Sequence, residues 1–219
     1  AIYSGTSANL DIYYSTFEDN VVTDRGGAIF SYSYVGIYDS TFIRNKGTGT
    51  SSTGGSIYIN GNSNKYSVLN RNIFKDTSVA RQGGAIYLSY GNSTFMDNIV
   101  KRKGEAGYGG AISVTLGNLY IDNSIFLNNT AYYGGGAIYG SSFNLKNNTM
   151  TNCVAKSGNG NYIFASSGFN GVVTILEGKT ADITSSTFTL NATATDDMGH
   201  PIHGGSYTFY LDDIRIGSA

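Results

Sequence analysis

The sequence predicts an all-β protein: a parallel β-helix (solenoid) of about six coils, followed by a C-terminal β segment. Three observations predict it. The 219 residues include 30 glycines and 18 tyrosines but a single proline, and Thr, Ile, Ser and Asn outnumber good helix formers, a mixture that suits strands and tight turns. Two short words alternate along the chain at a spacing of roughly 21–32 residues, the period of a solenoid. Apolar residues alternate with period two beside both words, as in strands with one buried face.

The first word is Gly-Gly-Ala-Ile, at Gly26–Ile29, Gly83–Ile86, Gly109–Ile112 and Gly135–Ile138. Gly54-Gly55-Ser56-Ile57 is a near copy and Gly160-Asn161-Tyr162-Ile163 a decayed one. The second is Phe-x-x-Asn, at Phe17/Asn20, Phe42/Asn45, Phe95/Asn98 and Phe126/Asn129, with Phe74/Thr77 and Met150/Cys153 in the same slots. Before each Phe lie further apolar slots. Five residues ahead stand Ile12, Ile37, Leu69, Tyr90, Ile121 and Leu145; seven ahead stand Leu10, Val35, Ser67, Leu88, Leu119 and Phe143. If each repeat is one coil, equivalent strands pair about 4.8 Å apart. Like residues then stack: Ile29, Ile57, Ile86, Ile112, Ile138 and Ile163 in one ladder, Phe17, Phe42, Phe74, Phe95, Phe126 and Met150 in another. The Asn slot is expected to bond backbone at a corner. The paired glycines are expected to supply positive φ, or room for close backbone approach. Ala1-Ile2-Tyr3 reads like Ala85-Ile86-Tyr87, so the chain is expected to begin inside a repeat.

These alternating words resemble the repeat of the polymorphic outer-membrane proteins of chlamydiae and of adhesin-like surface proteins of methanogenic archaea. The resemblance covers roughly residues 1–165. It implies a right-handed parallel β-helix displayed on a cell surface and used for attachment. The domains expected are residues 1–170, the solenoid, and 171–219. In the second, Val172–Leu176, Ser186–Thr195 and Gly205–Leu211 read as strands, with turn chemistry at Asp196–Pro201. That order is similar to the opening of bacterial immunoglobulin-like modules, and the segment is expected to be either a partial module or a cap on the solenoid. A solenoid followed by such a module favours the archaeal version.

An outward aromatic stripe is the leading candidate site. The residue after each word's Ile is Phe30, Tyr58, Tyr87, Ser113, Tyr139 or Phe164, with Tyr3 in the same register. Alternation points this slot away from the core. Phe30, Tyr58, Tyr87, Tyr139 and Phe164 are therefore candidate ligand-binding residues, a platform for sugar rings or a partner. The alternative is that loops from neighbouring corners cover them.

The expected function is cell-surface attachment to a host or neighbouring cell, a matrix or a glycan, without catalysis and without a cofactor or metal. One alternative is a polysaccharide lyase or hydrolase on the same fold, which needs converging carboxylates. Asp11, Asp39 and Asp122 precede the Phe slots, and Asp19, Asp76 and Asp97 share one offset after them, so a carboxylate column is conceivable. A passive stalk is the other. Lys101-Arg102-Lys103 reads as a solvated loop tip, with docking to an acidic glycan as the alternative. His200 and His203 lack a visible third metal ligand. Cys153 is expected to pack as a small apolar group. Four sequons, at Asn92, Asn128, Asn147 and Asn191, leave glycosylation open. A net charge of -1 argues against nucleic-acid partners. No apolar run approaches the ~18 residues that span a bilayer. Extracellular localisation rests on the resemblance, since no targeting segment is visible.

Overall fold

The structure, a computed structural model, describes residues 1–61, 66–101, 105–157, 160–167, 169–176, 194–195, 208–211 and 214–218. No helix occurs among them, and so none is long and apolar enough to cross a membrane. The chain winds as a parallel β-solenoid of about six turns. The first strand of each coil follows the glycine pair: Ile2–Ser4, Ile29–Ser31, Ile57–Asn60, Ile86–Tyr90, Ile112–Val114, Ile138–Gly140 and Ile163–Ala165 form one seven-stranded sheet. Its isoleucines stack in register, Ile29 on Ile57, Ile57 on Ile86 and Ile86 on Ile112. All of those are buried.

The second and third strands of each coil belong to a thirteen-stranded sheet folded at a corner. In the sixth coil they merge into one nine-residue strand, Phe143–Thr151. A short fourth strand, such as Thr130–Gly134 or Val154–Ala155, returns the chain to the next glycine pair. Successive coils thus bury one continuous apolar column, worth about 25 cal/mol per Å² removed from water.

Two corners close each coil, and both obey one local rule. After the second strand the backbone turns left-handed at Tyr14, Asp39, Arg71, Asp97, Asn123 and Asn147, with φ from 47° to 55°. The next residue points inward: Ser15, Ser40, Asn72, Asn98, Ser124 or Asn148. From Ser15 to Ser124, each backbone N–H in this column donates to the side-chain oxygen of the coil above. The Ser40 N–H reaches Asn72 Oδ1 at 2.9 Å, Asn72 reaches Asn98 Oδ1 at 2.8 Å, and Ser124 reaches Asn148 Oδ1 at 2.9 Å. The amides donate the other way, Asn72 Nδ2 to Ile37 O at 2.9 Å and Asn98 Nδ2 to Leu69 O at 2.8 Å. A buried polar side chain is tolerated here because it satisfies backbone groups of two neighbouring coils. The second corner repeats the device. Asp19, Arg44, Asp76, Asn128 and Asn152 have positive φ, and Asn45 Nδ2 donates to Phe17 O at 2.8 Å.

That shared rule corrects one sequence expectation. Phe95 is not in the ladder of Phe42 and Phe74. It pairs with Leu69 and Ile121, while Val100 takes the slot between Phe74 and Phe126. Phe95-x-x-Asn98 spans the first corner, where Leu69-x-x-Asn72 stands one coil below, and not the second. Tyr90 accordingly is not a core residue but is exposed. The swap conserves volume, since the Phe95 ring sits 6.2 Å from Phe74 and 6.0 Å from Phe126, filling the space beside the smaller Val100.

Phe169–Leu176 stacks in parallel on Phe143–Thr151, so the last parallel strand runs across the expected boundary at residue 170. Ala194–Thr195 then adds antiparallel to it, and Thr208–Leu211 pairs antiparallel with Ile214–Ser218. The expected turn at Asp196–Pro201, His200 and His203, most of the strand Ser186–Thr195, and Arg102-Lys103 lie outside the described residues.

Cys153 replaces Asn in the last second-corner slot. Its thiol donates to Phe126 O at 3.6 Å, and burial pushes its pKa up to about 11. A thiol reagent at pH 8 is therefore expected to leave the native chain unmodified and to add one label in denaturant, read by mass spectrometry. Full labelling of the native protein would contradict this packing.

Candidate functional site

The residue just before each glycine pair carries the site. The first glycine of the pair is left-handed, so the chain turns sharply between the fourth strand and the first. The preceding residue is thereby set beside the outward ring one coil beyond the strand it leads into. Arg25, Thr53, Gln82 and Tyr108 form this column through consecutive parallel bridges. The Arg25 guanidinium lies 5.2 Å from the centre of the Tyr58 ring, a cation–π geometry. At the other end the Tyr108 ring lies 4.8 Å from Tyr139.

Beside this column runs the aromatic stripe. Tyr3, Phe30, Tyr58, Tyr87, Ser113, Tyr139 and Phe164 are in register as successive strand partners. Ring centres are 5.0 Å apart for Phe30 and Tyr58, 5.3 Å for Tyr58 and Tyr87, and 5.0 Å for Tyr139 and Phe164. The stripe is not one open platform. Tyr58 is 5% exposed and Tyr87 9%, Phe30, Tyr139 and Phe164 are half-buried, and the buried Ser113 interrupts the rings. Tyr3 alone in this register is broadly exposed, at 67%.

Where the covering column carries the shorter Thr53 and Gln82, a recess of about 310 Å³ opens over Tyr58 and Tyr87. Its walls are Asp24, Arg25, Ser51, Arg81 and Thr115. The Tyr87 hydroxyl is tied to Thr115 Oγ1 at 2.6 Å, which fixes that ring. Asp24 Oδ2 stands 3.6 Å from Arg25 Nε, both well exposed. Two arginines and one aspartate thus line the recess over an aromatic floor. The stripe residues Tyr58 and Tyr87 were legible from alternation. Arg25, Arg81 and Thr53 were not, although the constant offset of Arg25, Thr53, Gln82 and Tyr108 ahead of the glycines was a usable signal.

Two segments, residues 14–32 and 123–141, match the family model of the Chlamydia polymorphic membrane protein repeat. No curated protein and no solved structure matches the chain. Each matched segment runs from the left-handed residue of the first corner, through both corners and the glycine pair, into the next first strand. The matches and the stacked coils together support the repeat β-helix. Arg25 and Phe30 fall in the first segment and Tyr139 in the second.

The acidic residues do not converge. Asp97 sits at the first corner, whereas Asp19 and Asp76 sit at the second with Arg44 between them. The expected carboxylate column is thereby broken. The Arg44 guanidinium grips Asp19 at 2.8 Å and also reaches Glu18, holding the Asp19 carboxyl below the usual carboxylate range. Arg71 does the same for Asp39 through two bonds of 2.6 and 2.7 Å. Among the described residues no group of three or more potential ligands is placed to hold a metal ion. A larger hollow of about 510 Å³ lies on the second-strand face, over Tyr120, Leu145 and Gly171. Its charges, Asp122 and Lys146, lie 3.8 Å apart and offset each other.

Proposed function

We propose that this chain is an attachment segment of a cell-surface protein, with the solenoid acting as a rod and its lateral face binding another cell, a matrix or a glycan. The observation that carries this reading is the match of two short segments, residues 14–32 and 123–141, to a repeat characteristic of outer-membrane and surface proteins. The arginine-flanked aromatic recess on the side of the rod supports a binding role over that of a passive stalk. The dispersal of the carboxylates into arginine pairs supports a binder over a lyase or hydrolase, and the net charge of -1 supports partners other than nucleic acid. The antiparallel pairing of Thr208–Leu211 with Ile214–Ser218 lends support to a β module or cap following the rod. A partial immunoglobulin-like module there makes the archaeal adhesin-like type the nearer parallel.

Beads coated with the chain are expected to adhere to cultured cells or to a glycan array well above beads coated with unfolded chain. Equal retention of both would remove the attachment reading.

A further inference from the structure

We propose that the recess over Tyr58 and Tyr87 is a subsite for one carboxylate-bearing sugar residue of an acidic glycan. This rests on the attachment reading and names the ligand class for it. At about 310 Å³ the recess suits a single sugar ring, at the lower end of the ~300–1,000 Å³ typical of ligand pockets. Arg81 is exposed and has no acidic partner among the described residues. Its planar fork can therefore take both oxygens of a carboxylate, the geometry in which arginine outperforms lysine. Arg25 is held over Tyr58 and supplies the second positive charge, offset by Asp24 alone. Beside the two arginines the recess wall carries the neutral polar side chains of Ser51, Gln82 and Thr115. That mixture of donors and acceptors suits the hydroxyls of a sugar ring, which a simple inorganic anion lacks.

The mouth of the recess is polar and carries an excess of positive charge, while the chain as a whole is slightly negative. The positive potential is thus local, so the site selects an isolated acidic group and does not attract polyanions broadly.

The test is titration calorimetry on the chain with tetragalacturonate, its fully methyl-esterified form, and a tetraglutamate peptide. Tetragalacturonate is expected to bind, with the ester at least tenfold weaker. Arg81→Gln is expected to weaken binding about tenfold, the loss of one charge-assisted contact, with Arg81→Lys between the two. Lys146→Gln, at the other hollow, is expected to change nothing. Circular dichroism checks the fold of each variant. Equal affinity for acid and ester, no effect of Arg81→Gln, no binding of any sugar, or tighter binding of the peptide each overturns the proposal. Bead adhesion is measured in parallel. Adhesion that persists while tetragalacturonate fails leaves the attachment reading standing, and adhesion lost in the wild type with sugar binding retained removes only that reading.

Discussion

Gly110→Ala is expected to destabilise the solenoid by on the order of 4 kcal/mol, at the upper end of single substitutions, or to prevent its folding. A Cβ there would stand 1.9 Å from Gly136 O and 2.7 Å from Thr130 N. Both obstacles are backbone, one in the next coil, so no side chain can swing aside. Gly110 has ordinary φ, and its role is close approach. Its neighbour Gly109, at φ 61°, supplies the left-handed turn. The two glycines of the word therefore do different work, and alanine at either one fails for a different reason. Gly5→Ala is the control, since nothing lies within 4 Å of a Cβ at that position. Chemical unfolding followed by circular dichroism reads the difference. Midpoints for Gly110→Ala and Gly5→Ala that agree would refute the close-approach account.

Phe74→Ala is expected to cost about 3–5 kcal/mol, the range for removing a buried ring. Phe74 is fully buried, stacks on Phe42 at 4.8 Å with an 8° interplanar angle, and touches Phe95 on the other side. The cavity cannot collapse easily, because its walls are strands held at fixed spacing by hydrogen bonds to the coils above and below. Phe74→Leu, which keeps most of the volume, is expected to cost about a third as much. Phe17→Ala, at the partly buried end of the same ladder, is expected to cost less than Phe74→Ala. The same unfolding experiment ranks the three. A loss at Phe17 as large as that at Phe74 would mean that the ring column is not one continuous core.

The fold was readable because its signals repeat. Gly-Gly-Ala-Ile marks a left-handed glycine, a close approach and a buried isoleucine in one word, and four copies with two variants leave little choice of architecture. The fourth coil was misregistered for an equally physical reason. Both corners use an apolar residue, two intervening positions and an inward Asn or Ser, so Phe95-x-x-Asn98 at the first corner reads the same as Phe42-x-x-Asn45 at the second. Local spelling cannot separate them when Val100 stands where phenylalanine usually does. The site was half legible for another reason. Alternation says which way Tyr58 and Tyr87 point but not what lies above them. Their cover comes from Arg25, Thr53 and Gln82, which reach the rings through a stacking of coils that single-strand periodicity does not encode.

Asn60 ends a first strand and Tyr66 begins the next strand of that coil, whereas one coil later Gly91 alone joins Tyr90 to Asn92. The ladders pair on either side of this change, Tyr58 on Tyr87 and Tyr66 on Asn92, with one local register shift between Leu88 and Tyr90 at the edge itself. Insertions and deletions at that edge are thus decoupled from the stacked interior. Length and spelling are free to vary at that edge while inheritance of the scaffold stays intact.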